Sequence, residues 1–156
     1  MNIEYFLKIN KEIPVSLKAI LNILVLSGKL KREINELLNR FGISEPQFNV
    51  LRILRGQNQP ADLKTIQIRM VHKTSNTTRL VDKLLEKKLV KRNIPKENRR
   101  KVEISITSAG LELLSTVDPE FDKLQHTLVA NLSQNEVQEL NRILEKMNDS
   151  DVQPSS

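Results

Sequence analysis

The hydrophobic period of this chain leaves helical spacing in one place only. Apolar residues recur every three or four positions along most of residues 14 to 148. The exceptions are VKRNI (90–94) and VEISI (102–106), which read as strands. In the second, Val102, Ile104 and Ile106 alternate with Glu103 and Ser105, the period of a half-buried strand. Gly is scarce, with 4 residues, while Leu, Ile, Lys and Glu are plentiful, so helix should dominate. The expected fold class is mainly α with a small β-hairpin (α+β).

The loop of that hairpin is unusual. KENRRK (96–101) has no Gly to form a tight turn, yet it holds Lys96, Arg99, Arg100 and Lys101. Its charge belongs to a wider pattern. Residues 64 to 101 hold 13 Lys and Arg against three acids, Asp82, Glu86 and Glu97, whereas the rest of the chain is mildly acidic. The net charge is +6. Basic charge gathered in one quarter of a chain is the electrostatic footprint of a polyanion binder, although a solvated basic face with no partner has the same composition.

A chain of 156 residues is long enough for one domain with a core of its own. The first long helix is expected to start near Pro14 and to run through Leu17, Ile20, Leu21, Leu24, Ile34, Leu37, Leu38 and Phe41, with Gly42 as a left-handed stop. Its apolar face exceeds what a small core can cover, which points to a partner subunit. SEPQ has capping-box form, with Ser44 as cap, and Gly56 should end that helix. QNQPA reads as a loop. Asp62 can cap a short helix, LKTIQIRM, and Thr74 can cap the next, SNTTRLVDKLLEKK. In the latter, Thr77, Val81, Leu84 and Leu85 face inward, and Ser75, Asn76, Arg79 and Lys83 face outward. After the hairpin, Thr107 caps another helix. Asp118-Pro119 should kink or restart it before it continues to about Ala130. SQNE is a second capping box, opening a final helix lined by Val137, Leu140, Leu144 and Met147. Residues 149–156 read as a disordered polar tail.

A short helix, a turn, a longer helix and a strand–loop–strand form the order of a winged helix-turn-helix. The second helix is of a width to enter the DNA major groove, led by its N-terminal residues. Thr74, Ser75, Asn76 and Thr78 are small and polar enough for close approach. Arg79 can bond a guanine twice, and Lys83 lies further along the same face. The hairpin is then a wing. An Arg at its tip can enter the minor groove, Lys96 and Lys101 can meet phosphates, and Lys91 and Arg92 can do so from its base.

Other chemistries find little support. Cys is absent, which excludes disulfides and thiol sensing, and only His72 and His126 could supply imidazole, so neither a metal nor another cofactor is expected. No phosphate loop or nucleophile motif points to an enzyme. The apolar run 13–26 contains Lys18 and Asn22 and is too short for a bilayer, so a cytoplasmic protein without membrane association is expected. The basic quarter holds no aromatic residue on which single-stranded RNA could stack. A winged-helix module that binds protein and not DNA is the main alternative, and salt dependence would separate the two.

SNTTRLVDKLLEKKLVKR, the tip NRR and ISITSAG together resemble the MarR family of bacterial transcription regulators, over roughly residues 14 to 148. The resemblance implies a homodimer on a near-palindromic double-stranded operator, a repressor released by a small aromatic effector. Residues 1–42 and 107–148 would form the dimerisation region and 43–106 the DNA-binding region. It places Arg99 and Arg100 on the two basic wing positions, with Arg100 entering the groove. Asp82 matches an acid of the recognition helix that can pair with a wing Arg. Two positions depart. Asn98 stands where the family has Asp, and Lys88 stands where it usually has Gly, so a less sharp helix end is expected there.

Overall fold

The computed structural model describes residues 3–71, 76–94 and 102–149. Its elements are helices α1 (Ile3–Phe6), α2 (Val15–Arg40), α3 (Glu45–Gln57), α4 (Leu63–Arg69) and α5 (Thr77–Glu86), strands β1 (Val90–Asn93) and β2 (Glu103–Ile106), and helices α6 (Ser108–Val129) and α7 (Gln134–Asn148). The chain divides into two units, Met1–Phe121 and Asp122–Ser156.

The first unit holds one core. Leu38 from α2, Phe48, Val50, Leu51 and Leu54 from α3, Ile66 from α4, Val81 and Leu84 from α5, Val90 and Ile104 from the hairpin, and Leu114 and Val117 from α6 are all buried in it. These residues sit at helical spacing on the helices and on one face of the strands, and burying apolar surface drives their assembly. Phe121 adds an edge contact, its ring centroid 5.0 Å from that of Phe48. The second unit contains the end of α6 and α7, and α7 buries no residue.

Local signals account for most of the boundaries. Pro14 takes the cap position of α2 with an extended backbone. Gly42 ends α2 at φ 69°, with its N–H donating to the Asn39 carbonyl (3.0 Å) and the Ile43 N–H to the Leu38 carbonyl (3.2 Å). That is a Schellman stop, which needs a left-handed residue. The Ser44 N–H donates to Gln47 Oε1 (3.0 Å), which explains why a glutamine can sit buried at the start of α3. The Thr65 N–H donates to the Asp62 carboxylate (2.7 Å), capping α4.

Two boundaries differ from expectation. α3 runs past Gly56 to Gln57, and the left-handed residue is Asn58 at φ 52°. Asn tolerates that region because its short side chain can bond locally, so Gly is not required. α6 does not restart at Asp118-Pro119. The helix continues through Pro119, and the Asp118 carboxylate forms an ion pair with Arg55 on α3 in place of a cap.

Strands β1 and β2 are antiparallel, with Val90 opposite Ile106, Lys91 opposite Ser105, Arg92 opposite Ile104 and Asn93 opposite Glu103. Ala61, read from the sequence as loop, pairs with Ile104 through two backbone bonds of 2.9 and 2.8 Å. One small residue after a proline has no periodicity to betray such a bridge.

Candidate nucleic-acid interface

α5 has two distinct faces. Thr77, Val81 and Leu84 are buried, at i, i+4 and i+7. Asn76, Thr78, Arg79 and Lys83 are exposed on the other side. The expected outward side chains within the described residues thus share one surface of the helix. Thr74 and Ser75 lie outside the described residues. The described helix begins at Thr77, with Asn76 in the cap position.

The end of α5 decides where the wing begins. Lys87 closes the helix, and Lys88 adopts φ 57°. The Lys88 N–H donates to the Leu85 carbonyl (2.9 Å) and the Leu89 N–H to the Leu84 carbonyl (3.0 Å). This is the same stop that Gly42 makes, so the expectation of a less sharp end is overturned. Lys88 takes the conformation a glycine would take, because the bonds around it specify the turn. Thr107 reinforces that turn. Its hydroxyl donates to the Lys88 carbonyl (2.8 Å) and accepts from the Gly110 N–H (3.1 Å), and its own N–H donates to the Leu89 carbonyl (3.1 Å). Gly110 fits because a Cβ there would lie 2.3 Å from the Leu89 carbonyl oxygen. One threonine therefore joins the helix end, the base of the wing and the start of α6.

From this anchor the wing leaves with Val90 buried and Lys91 and Arg92 exposed. Asn93 Nδ2 donates to Ser105 Oγ across the strands (3.0 Å). Lys96, Arg99, Arg100 and Lys101 of the tip, and Asn98, lie outside the described residues. Asp82 pairs with a wing arginine, and the partner is Arg92 of β1, at 3.1 Å. Sequence reasoning assigned Arg92 to phosphate. The strand register that turns it toward α5 depends on the pairing with β2, which Arg92 itself does not signal.

This surface is predominantly basic, with Asp82 and Glu86 as its acids. Lys83, Lys87, Lys88 and Lys91 are exposed along one run of chain, and Arg79 precedes them. Lys87 Nζ donates to the Gly42 carbonyl, placing a cation on the C-terminal end of α2, where the helix dipole favours it. Among the described residues no group of three His, Asp or Glu side chains is placed to hold a metal. No described helix is long and apolar enough to cross a membrane. The arrangement can present a helix face and a hairpin, both basic, to one polyanionic surface.

Known proteins share this arrangement. Residues 43–102 match the MarR family. The chain is 29% identical over 115 residues to the HTH-type transcriptional regulator MgrA of Staphylococcus aureus, covering 72% of this chain and 75% of that protein. A MarR transcription factor from Planctomyces limnophilus superposes with a TM-score of 0.67 at 29% identity, covering 86% of this chain and 98% of the other. The S. aureus MepR–DNA complex gives a TM-score of 0.75 at 23% identity over 88% of this chain and 99% of that one, a likeness of fold. With the helix pair, the wing and these relatives in agreement, the chain carries a MarR family region over residues 43–102 and is a DNA-binding transcription regulator, not an enzyme.

Proposed function

We propose that this regulator binds a near-palindromic duplex operator as a homodimer and represses transcription until a small aromatic ligand releases it. One observation carries the DNA contact. Asn76, Thr78, Arg79 and Lys83 share the exposed side of a helix whose other side is buried, and a basic hairpin follows directly. Polar residues at the leading end can approach base edges, and Arg79 can take a guanine with two bonds, while the wing-tip residues Lys96, Arg99, Arg100 and Lys101 supply phosphate and minor-groove contacts. Thr74 and Ser75 would extend the helix contact at its leading end.

The dimer reading rests on apolar surface. Val15, Leu17, Ile20 and Leu24 of α2, and Leu140, Ile143, Leu144 and Met147 of α7, are exposed in the single chain. Two amphipathic helices with uncovered apolar faces match the dimerisation region proposed for residues 1–42 and 107–148, around a reading head at 43–106. Two heads related by a two-fold axis would read two half-sites, hence the near-palindrome. Release by a ligand follows if that ligand favours a head spacing unsuited to the operator.

The test is selection of duplexes from random DNA, followed by titration of the selected site at two salt concentrations. Wild type should bind a two-fold symmetric site, with affinity falling steeply as salt rises. Arg79→Ala should cost about 1–3 kcal/mol and relax preference at one base pair per half-site. Arg100→Ala should weaken binding and lower the salt slope. A folded dimer that selects no sequence even at low salt would favour a protein-binding module, for which the exposed apolar faces would then be the working surface.

A further inference from the structure

The recognition helix is held along its underside by apolar contact, which has no direction. Thr77, Val81 and Leu84 are buried there. Such contacts fix how deep the helix sits and leave its tilt open. Direction has to come from hydrogen bonds. Thr107 supplies one, to the Lys88 carbonyl in the turn after the helix (2.8 Å). Lys87, which closes the helix itself, supplies another. Its ammonium donates to the Gly42 carbonyl, just past the end of α2.

Helical spacing alone assigns Lys87 elsewhere. Arg79, Lys83 and Lys87 follow one another at four positions, so their stems leave one stripe of α5. On that count Lys87 is one more cation for a polyanion. Yet its donor meets a carbonyl 45 positions back in the chain. That carbonyl belongs to the left-handed stop of α2, at φ 69°. Carbonyls at a helix end lack intrahelical partners, and the dipole favours a cation beside them. Lys87 also lies at the trailing end of α5. At 1.5 Å per residue it is about 15 Å along the axis from Thr77, away from the bases that Asn76, Thr78 and Arg79 would approach. The end of α2 is a firm reference, since Leu37 and Leu38 are buried and Arg40 pairs with Glu120 of α6 (3.5 Å).

We propose that Lys87 is a positioning residue, which ties the trailing end of the recognition helix to the end of α2 and so sets the angle at which the leading end meets the bases. The proposal rests on the DNA-binding reading above. Without the tie the helix samples other tilts in the free protein, and binding has to recover the productive one. The loss is limited to the net worth of one hydrogen bond, about two- to tenfold in affinity.

The experiment titrates wild type and Lys87→Met, each as the full chain, on two probes. One is the duplex selected by wild type, and the other is a scrambled duplex of equal length and composition. Methionine keeps an unbranched stem and removes the ammonium. A lost angle damages base reading, so affinity for the selected duplex should fall about two- to tenfold while that for the scrambled one falls less than about twofold. Lys87→Arg keeps a cationic donor and should hold the ratio between the probes near that of wild type. A phosphate contact predicts otherwise: an equal loss on both duplexes, with a salt slope lower by about 0.9. That result overturns the proposal. So does an unchanged ratio in a Lys87→Met chain that only melts at a lower temperature, the mark of a cap on α2 and nothing more. Failure of wild type to select any duplex would sink the DNA-binding reading itself, a result visible before any variant is made.

Discussion

Lys88 holds a left-handed backbone at φ 57° while Gly42 holds φ 69°, and both close a helix with the same pair of bonds. For an L-residue that region costs roughly 1–2 kcal/mol, a cost glycine does not bear. The surrounding contacts evidently outweigh it, since Thr107 bonds the Lys88 carbonyl and the following Leu89 N–H reaches back to Leu84. Lys88→Gly should therefore raise stability by about 1 kcal/mol, less a small loss from the greater freedom of the unfolded glycine. Denaturant titration checks it, with an increased midpoint and an unchanged slope expected. The sequence showed Lys88 as a departure but not its consequence. A residue type reports what a conformation would cost and not whether its neighbours meet that cost.

At the scale of elements, the helix caps were readable because capping chemistry is local. Ser44 with Gln47, Asp62 with Thr65, and Ser133 with Glu136 all bond within three residues. In α7 the Ser133 N–H donates to Glu136 Oε2 (2.8 Å), the Ser133 hydroxyl donates to the same oxygen, and together they hold the Glu136 carboxyl below its usual 4.5. The Arg142 guanidinium does the same for Glu139 through a hydrogen bond of 2.7 Å. A carboxylate with a depressed folded value stabilises the helix above its unfolded value. That contribution disappears as pH falls through the folded value. The start of α7 should thus loosen on acidification below about pH 4.5. The Ser133 amide resonance, followed by NMR across an acid titration, should shift with the Glu136 titration. Glu136→Gln should abolish that dependence, whereas Ser133→Ala, which keeps the backbone donor, should only reduce it and should cost about 1 kcal/mol at neutral pH through the lost cap. Asp118 behaved differently from these caps because its partner, Arg55, is far away in sequence and close only in the folded chain.

At the scale of the whole molecule, apolar surface is unevenly covered. The core of the first unit buries residues of five helices and both strands, yet α2 leaves Val15 84% and Leu24 62% exposed, and α7 buries nothing. In the proposed homodimer a second copy would cover these faces. Leu144→Glu should shift the dimer toward monomer in sedimentation equilibrium while leaving the thermal transition of the first unit in place. Operator affinity should fall with it, because one head makes only half of the contacts. A variant that remains dimeric would remove α7 from the interface.

The sequence by itself determined the order of elements from α2 onward, the caps Ser44, Asp62 and Ser133, and the two-faced character of α5, since all of these follow from side chains three or four positions apart. It also marked the basic quarter, because charge along the chain survives folding. Tertiary structure decided what depends on residues distant in sequence: the bridge from Ala61 to Ile104, the Arg55–Asp118 pair, and the left-handed turn at Lys88 joined by Thr107. It also brought Arg92, and not Lys91, to Asp82 among the described residues of the wing. A periodic pattern shows which way a side chain must point. Only the packed chain brings a particular partner to within hydrogen-bonding distance.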